Sequence, residues 1–469
     1  MTVVLVSNRV ALATHKGGVQ GGLAVALSRA VEKRGAVWLG WSGNLSRTET
    51  GPLLPSLSTA VAGAVATVDL PERHFGGYYN GMANGALWPI LHNRIDLLRY
   101  DGDAFASYKT INEFMARAIM RVTDGGAMVW VHDYHFIMVG EFLRRFGFDG
   151  PLGFFLHTPF PGRSVVACLP HHDELFRTLL AYDVVGFQTV DDQCFFLDYA
   201  EHELGAIPES GETLRFGRRT VRLGAFPVGV DVEQFAQMAA GAVHAPSAVQ
   251  LRNSLKGAKV VIGVDRLDYS KGLFQRLEAY RRFFEFYPDE QRRVTFLQIT
   301  PMTRTDVHAY QQVQHQLARL VGEINGRFSD LEWSAVRYIN RSFAPRTLAS
   351  LYRMSPVACV TPLRDGMNLV AKEYVAAQDP ENPGVLVLST LAGAARELDA
   401  ALLVNPYDID ELGRSIEKAL SMPLAARRER WGAMISALRA NDIEKWYDRF
   451  VTELAQRGAD AHLPLAAGA

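Results

Sequence analysis

Residues 361–374 read TPLRDGMNLVAKEY and carry the charges and backbone amides that a bound diphosphate needs. An apolar run at 357–360 meets Arg364, Asp365, Gly366 and Asn368 in a turn, and a helix is expected to start at Leu369. A helix that begins directly after a strand presents unpaired N–H groups and the positive end of its dipole, which suits it to an anion. Leu369 and Glu373 are four apart, so they share a helix face with Glu373 about 6 Å further along. An amide at Leu369 can hold a diphosphate while Glu373 accepts hydrogen bonds from a ribose, and a nucleotide sugar needs both. A strand, a turn and an acidic helix on their own are more commonly an ordinary connection with solvated charges.

Arg266 and Lys271, in RLDYSKG at 266–272, follow a second apolar run at 260–264. Arg266 offers a rigid fork for phosphate oxygens and Lys271 a compact point charge. Both suit a departing diphosphate, on which negative charge grows in the transition state. Gly17, Gly18, Gly21 and Gly22 lie between the first strand and a helix expected near Leu23. Such glycines let backbone approach a phosphate without Cβ interference. Their spacing is neither G-x-G-x-x-G nor G-x-x-x-x-G-K-[ST], which disfavours a dehydrogenase and a P-loop ATPase. Asp-x-Asp pairs at 101–103 and 408–410 could chelate a divalent ion, but short acidic turns are common and two cations are already at hand. No metal and no cofactor are therefore expected. Arg9 ends a buried-looking first strand, where an unpaired charge is costly, so an anionic partner is expected for it. Trp88 alone reads as a core aromatic, and a lone strand-end His157 reads as structural. No carboxylate stands out as the nucleophile of a double displacement.

The string at 361–374 resembles, almost letter for letter, the donor-binding segment of the trehalose-6-phosphate synthases, a family of retaining GT-B glycosyltransferases. The resemblance continues through SNR at 7–9, GWSG at 40–43, HDYH at 132–135, RLDYSKG at 266–272 and KEYVAAQDPENPGVLVLS at 372–389, in the family's order. It implies transfer of glucose from UDP-glucose to glucose 6-phosphate on the face the leaving group vacates. By this resemblance Arg266 and Lys271 grip the donor phosphates, Gly22 touches the diphosphate and Asp365 binds the glucose hydroxyls. Met367, Asn368, Leu369, Val370 and Glu373 complete the donor segment. Arg9, Tyr79, Trp88 and Arg304 match the acceptor-phosphate pocket, with Trp41 in the same cleft. Asp133 matches an acceptor-contacting carboxylate, His157 a donor-sugar contact, and Gln188 is a weaker candidate. The catalytic set implied is Arg266, Lys271, Asp133, His157 and Asp365.

Two alternatives stand beside this reading. A relative could use glycerol 3-phosphate, a pseudo-sugar phosphate or another nucleotide-glucose donor; or the chain could be a silent sugar-nucleotide sensor. The presence of Arg9, Tyr79, Trp88 and Arg304 favours a phosphorylated hexose, and intact Arg266, Lys271, Asp365 and Glu373 disfavour the sensor. A homo-oligomer is expected. Because the chain ends soon after its second α/β block, a separate trehalose-phosphate phosphatase is expected to act on the product.

These residues need a scaffold to bring them together. With 469 residues the chain is too long for one ordinary core, so two domains are the natural expectation. The 48% hydrophobic and 21% charged fractions are those of a globular protein. Lys and Arg number 49 against 50 Asp and Glu, so no overall field recruits nucleic acid or a membrane surface. No signal-like or spanning apolar segment is present, and three scattered cysteines, Cys168, Cys194 and Cys359, suggest reduced thiols in a cytoplasmic protein.

Short β-branched runs at 3–6, 128–131, 152–156, 184–187, 260–264, 294–299, 357–360 and 385–388 alternate with helical segments, which predicts parallel sheets covered on both faces. Leu273, Leu277, Tyr280 and Phe284 form a core-facing helical stripe ending before Pro288. Arg215, Arg218, Arg219 and Arg222 read as a solvated hairpin face. The expected architecture is α/β, GT-B: two Rossmann-like domains facing across a cleft. The acceptor domain is expected at 1–238, a linker in 238–247, the donor domain at 247–440, a helix crossing back at 441–460 and a tail at 461–469.

Overall fold

A computed structural model describes residues 2–10, 27–28, 31–47, 57–60, 64–123, 126–242, 244–303 and 308–460. Gly17, Gly18, Gly21, Gly22, the helix start near Leu23, Arg304 and the tail lie outside the described residues. The chain divides into two units. Among the described residues, the first comprises those from 2 to 227 and from 444 to 460, and the second those from 228 to 443.

In the first unit ten strands form one sheet: β1 (Val3–Arg9), β2 (Val37–Ser46), β3 (Leu57–Ala60), β4 (Val65–Pro71), β5 (Met128–His132), β6 (Leu152–Phe155), β7 (Val184–Phe187), β8 (Ile207–Ser210), β9 (Thr213–Phe216) and β10 (Arg219–Ala225). Their order is β3-β4-β2-β1-β5-β6-β7-β10-β9-β8. From β4 to β10 the neighbours are parallel, while β3 and the β8-β9-β10 ribbon run antiparallel at the two edges. The chain winds from β1 toward β2 and β4, then returns to lay β5, β6 and β7 on the other side of β1. The winding therefore reverses between β1 and β5, and ligands of such sheets bind outside the strand carboxyl ends at that reversal.

The last helix, Ile443–Asp460, packs in this first unit. Its Phe450 stacks on Trp130 with ring centroids 4.1 Å apart. Three arginines of the β9-β10 ribbon are paired: Arg215 with Glu209, Arg219 with Asp183, and Arg222 with Glu212 and Glu453. The ribbon is the expected hairpin.

In the second unit six strands, β11 (Lys259–Val264), β12 (Val294–Ile299), β13 (Val336–Ile339), β14 (Val357–Val360), β15 (Val385–Ser389) and β16 (Leu402–Val404), form a wholly parallel sheet in the order β13-β12-β11-β14-β15-β16. Here the winding reverses between β11 and β14. The stripe on helix Leu273–Phe286 faces the core, where Leu277, Tyr280, Phe283 and Phe284 meet Val261, Phe296 and Val357.

The linker expectation is corrected. The units divide between Pro227 and Val228, and residues 238–247 belong largely to helices Val232–Ala242 and Pro246–Ser254. The alanines of that stretch favour helix, and Pro246 stands at a first helical position, where its missing N–H costs nothing.

Candidate active site

In the second unit the reversal between β11 and β14 gathers the donor-type residues. The turn after β14 is clamped on two sides. Leu363 N donates to Ser270 O at 2.7 Å; Asp365 N donates to Leu391 O in the loop after β15, and Gly393 N and Ala394 N of that loop donate back to Asp365 O and Met367 O. Gly272 makes the first clamp possible. Its φ is +62°, and a Cβ there would stand 2.1 Å from Thr361 O, so only glycine lets the two strand ends approach so closely.

The result places Lys271 Nζ 2.5 Å from Asp365 Oδ2, both side chains being mostly buried. Asn368 Nδ2 donates to the same Oδ2 at 3.0 Å, and Asn368 Oδ1 accepts from Ala371 N at 3.3 Å as the cap of helix Leu369–Ala377. Asn368 holds φ 81°, a conformation that asparagine tolerates better than most residues. Met367 is buried beneath the turn, and Leu369 and Val370 open the helix half-buried. Arg266 is exposed, directly after the buried Asp265.

Glu373 lies one turn into that helix, with Tyr352 Oη donating to its Oε2 at 3.5 Å. Loss of hydration pushes its carboxyl up from 4.5 to about 7, although part of the residue stays exposed. Two buried cations that the sequence reading passed over hold this end of the sheet. Arg276, fully buried, donates to Asp265 Oδ2 at 2.6 Å, Thr361 Oγ1 at 3.0 Å and Lys271 O at 3.3 Å. Lys372, also fully buried, donates to Val228 O at 2.7 Å and pairs with Glu397.

In the first unit residues on β1 and β2, with those after β4 and β5, form the second cluster. Arg9 is exposed, so the cost of a buried charge does not apply to it; its guanidinium stands 5.5 Å over the Trp41 ring. Asn8 accepts from Tyr78 Oη at 2.7 Å. An aromatic wall continues from Trp41 to Phe75 at 4.9 Å, Phe75 to Tyr79 at 5.3 Å and Tyr79 to His135 at 5.9 Å. His135 meets Tyr134 at 4.1 Å, and Tyr134 meets Trp88 at 5.5 Å. Trp88 is 5% exposed and lies against His92, so it supports this wall from the core.

Asp133 and His157 are brought together at the ends of β5 and β6, where His157 N donates to Asp133 Oδ1 at 3.3 Å. Asp133 holds φ 75°, a left-handed setting that aspartate adopts more readily than most residues. His157 Nε2 lies 3.1 Å from His132 Nδ1, and its Nδ1 lies 3.3 Å from Gln188 Nε2. Burial pushes the His157 imidazole down to about 3 and lowers that of His132 as well, so both rings are neutral.

The two Asp-x-Asp pairs are helix caps. Asp101 Oδ1 accepts from Asp103 N at 2.9 Å, Asp408 Oδ1 accepts from Glu411 N at 2.9 Å, and Asp410 pairs with Arg282. Among the described residues no three His, Cys, Asp or Glu side chains converge as metal ligands, and no helix is long and apolar enough to cross a membrane.

Comparison with known proteins adds four matches. The model of glycosyltransferase family 20 matches residues 7–456. The trehalose-6-phosphate synthase of Sinorhizobium fredii is 44% identical over 457 residues, covering 96% of this chain and 98% of the relative. A Burkholderia xenovorans alpha,alpha-trehalose-phosphate synthase (UDP-forming) in complex with glucose-6-phosphate is 42% identical with a TM-score of 0.93, covering 97% of this chain and 100% of that one. An E. coli structure bound with UDP-2-fluoro glucose is 39% identical with a TM-score of 0.91, covering 97% and 99%.

Proposed function

Because the chain belongs to glycosyltransferase family 20, we propose that it transfers glucose from UDP-glucose to glucose 6-phosphate with retention, giving trehalose 6-phosphate and UDP. The observation that carries this reading is the convergence of Lys271, Asp365, Asn368 and the start of helix Leu369–Ala377 at the β11/β14 reversal.

In this proposal the amides of Leu369 and Val370, with Arg266, Lys271 and Gly22, receive the diphosphate. Glu373 accepts from the ribose, and the Met367 turn lines the donor sugar. Asp365 Oδ2 is taken by Lys271 and Asn368, which leaves Oδ1 to accept glucose hydroxyls. Arg9, Tyr79 and Arg304 bind the acceptor phosphate, Trp41 and Trp88 support that pocket, and Asp133 contacts the acceptor sugar. His157 meets the donor sugar.

The bond from the anomeric carbon to the β-phosphate oxygen breaks, and the acceptor hydroxyl oxygen bonds to the same carbon on the same face. The hydroxyl proton passes to the departing phosphate oxygen. No protein group needs to act as nucleophile or base, so the chain contributes positioning and charge stabilisation, chiefly through Arg266 and Lys271. The three free thiols suit a cytoplasmic enzyme. Assembly as a homo-oligomer and a separate phosphatase acting on the product complete the proposal.

A matrix of UDP-, GDP- and ADP-glucose against glucose 6-phosphate and glycerol 3-phosphate, read by product mass and anomeric configuration, tests it. UDP-glucose with glucose 6-phosphate should give the retained disaccharide phosphate. Folded Lys271→Ala should lose about 100-fold or more in kcat, the cost of one transition-state charge contact. Near-normal turnover in that variant would remove Lys271 from the mechanism, and product from glycerol 3-phosphate alone would change the acceptor.

A further inference from the structure

His132 is the last residue of β5, His157 stands two residues beyond β6, and Gln188 directly follows β7. These three parallel strands are neighbours, so the side chains form a row across their carboxyl ends. The row is hydrogen-bonded throughout, from Gln188 to His157 Nδ1 at 3.3 Å and from His157 Nε2 to His132 Nδ1 at 3.1 Å. Both ring nitrogens of His157 are thereby engaged within the protein. A sugar beside His157 would then meet its ring edge and backbone, with neither ring nitrogen left to exchange a proton.

A neutral imidazole donates from one nitrogen and accepts at the other, so the row has a direction. Gln188 Nε2 donates to His157 Nδ1; His157 Nε2–H then donates to His132 Nδ1, and the last proton sits on His132 Nε2. That nitrogen is fully buried and has no hydrogen-bond partner among the described residues. The His132 ring lies against those of Trp130 and Trp446, with ring centroids 4.5 and 6.2 Å apart. Aromatic faces receive an N–H and repel a lone pair, which favours this direction over its reverse.

A second bond joins the same two strand ends, from His157 N to the carboxylate of Asp133. We propose that His132 is a positioning residue for the transfer: through Nδ1 it fixes the rotamer and tautomer of His157, whose main-chain N holds the carboxylate of Asp133 beside the ring. This rests on the function proposed above, in which Asp133 and His157 meet the two sugars.

Three substitutions separate positioning from packing. Asparagine carries its amide near the place of an imidazole Nδ1, whereas glutamine reaches the place of Nε2 and matches histidine better in volume. With UDP-glucose and glucose 6-phosphate, His132→Asn should keep kcat within about tenfold of wild type, while His132→Gln and His132→Leu fall about 10- to 100-fold further, as when the partner that orients a functional imidazole is removed. Donor KM should change by less than about threefold, the mark of lost orientation and not of lost binding. If glutamine equals or exceeds asparagine, packing explains the site and the inference fails.

A readout on the wild-type chain covers the case in which no His132 variant folds. Imidazole 15N spectra, with His157 assigned by its loss in His157→Gln, should show one protonated and one unprotonated ring nitrogen unchanged from pH 5.5 to 8. Averaged shifts or a titration in that range would overturn the proposal. A wild-type protein that shows this fixed tautomer but no turnover would sink the functional reading instead.

Discussion

Glu373 offers the sharpest quantitative test. Its carboxyl is pushed up from 4.5 to about 7 by burial, with only a long contact from Tyr352 Oη to offset the loss of water. The folded chain thus holds this proton more tightly than the unfolded chain does. Its contribution to stability is fully present below pH 4.5 and is lost as pH rises through 7. The gap corresponds to about 3 kcal/mol. Solvent reaches part of the residue, so about half of that, about 1.5 kcal/mol, should appear in practice. For a unit of this size each kcal/mol moves the melting temperature by roughly 2–4 °C. Glu373→Gln should therefore melt level with wild type near pH 5 and about 3–6 °C above it at pH 8.

The same carboxyl links binding to pH. Ribose hydroxyls donating to Glu373 favour its charged form, so UDP should bind more tightly as pH rises from 6 to 8 and should release a proton on binding near pH 6.5. Isothermal titration in buffers of different ionisation enthalpy reads that proton. Repeating it on Glu373→Gln subtracts the protonation of UDP itself. Parallel melting curves for the two proteins from pH 5 to 8, together with equal proton release, would refute the reasoning.

Arg276→Met should destabilise the second unit by about 3–5 kcal/mol, because it strands the buried Asp265 carboxylate, and adding Asp265→Asn should restore much of that in thermal unfolding. A double variant no more stable than the single would show that the pair is not the cause. Gly43→Ala should cost about 1–3 kcal/mol because φ there is +100°. Its Cβ would also stand 3.0 Å from an Arg9 guanidinium nitrogen, so KM for glucose 6-phosphate should rise while KM for UDP-glucose holds. Equal rises in both would separate Arg9 from the acceptor.

The eight strands expected from apolar runs all form, because a strand of a covered parallel sheet is apolar on both faces and reads as a continuous run. The strands that were missed, among them β2, β4, β13 and β16, carry polar residues or lie toward the sheet edges, where that signal fades. The donor end was legible because strand, turn and helix cap are contiguous in sequence. The His132–His157 pair was not, since it depends on β5 lying beside β6 with His132 in register with Phe155. Arg276 did leave a trace. It follows Leu273 by three and precedes Tyr280 by four, and a cation inside an apolar helical stripe must have a buried partner.

Such buried cations add little net stability over well-packed apolar side chains, so their value lies in geometry. In the second unit each one joins elements distant in sequence. Lys271 links the end of β11 to the turn after β14, and Arg276 ties its helix to both strand ends. Lys372 ties the helix that carries Glu373 to Val228 O, while its partner Glu397 also accepts from Asn441 at 2.5 Å. Val228 begins this unit and Asn441 stands two residues before its end. The helix assigned to the diphosphate and ribose is therefore registered by one buried ammonium to both places where the chain enters and leaves the unit. A phosphate-binding helix on a bare sheet would need only its cap, and Asn368 supplies that. The additional buried lysine makes sense where the helix must hold its position as well as its end.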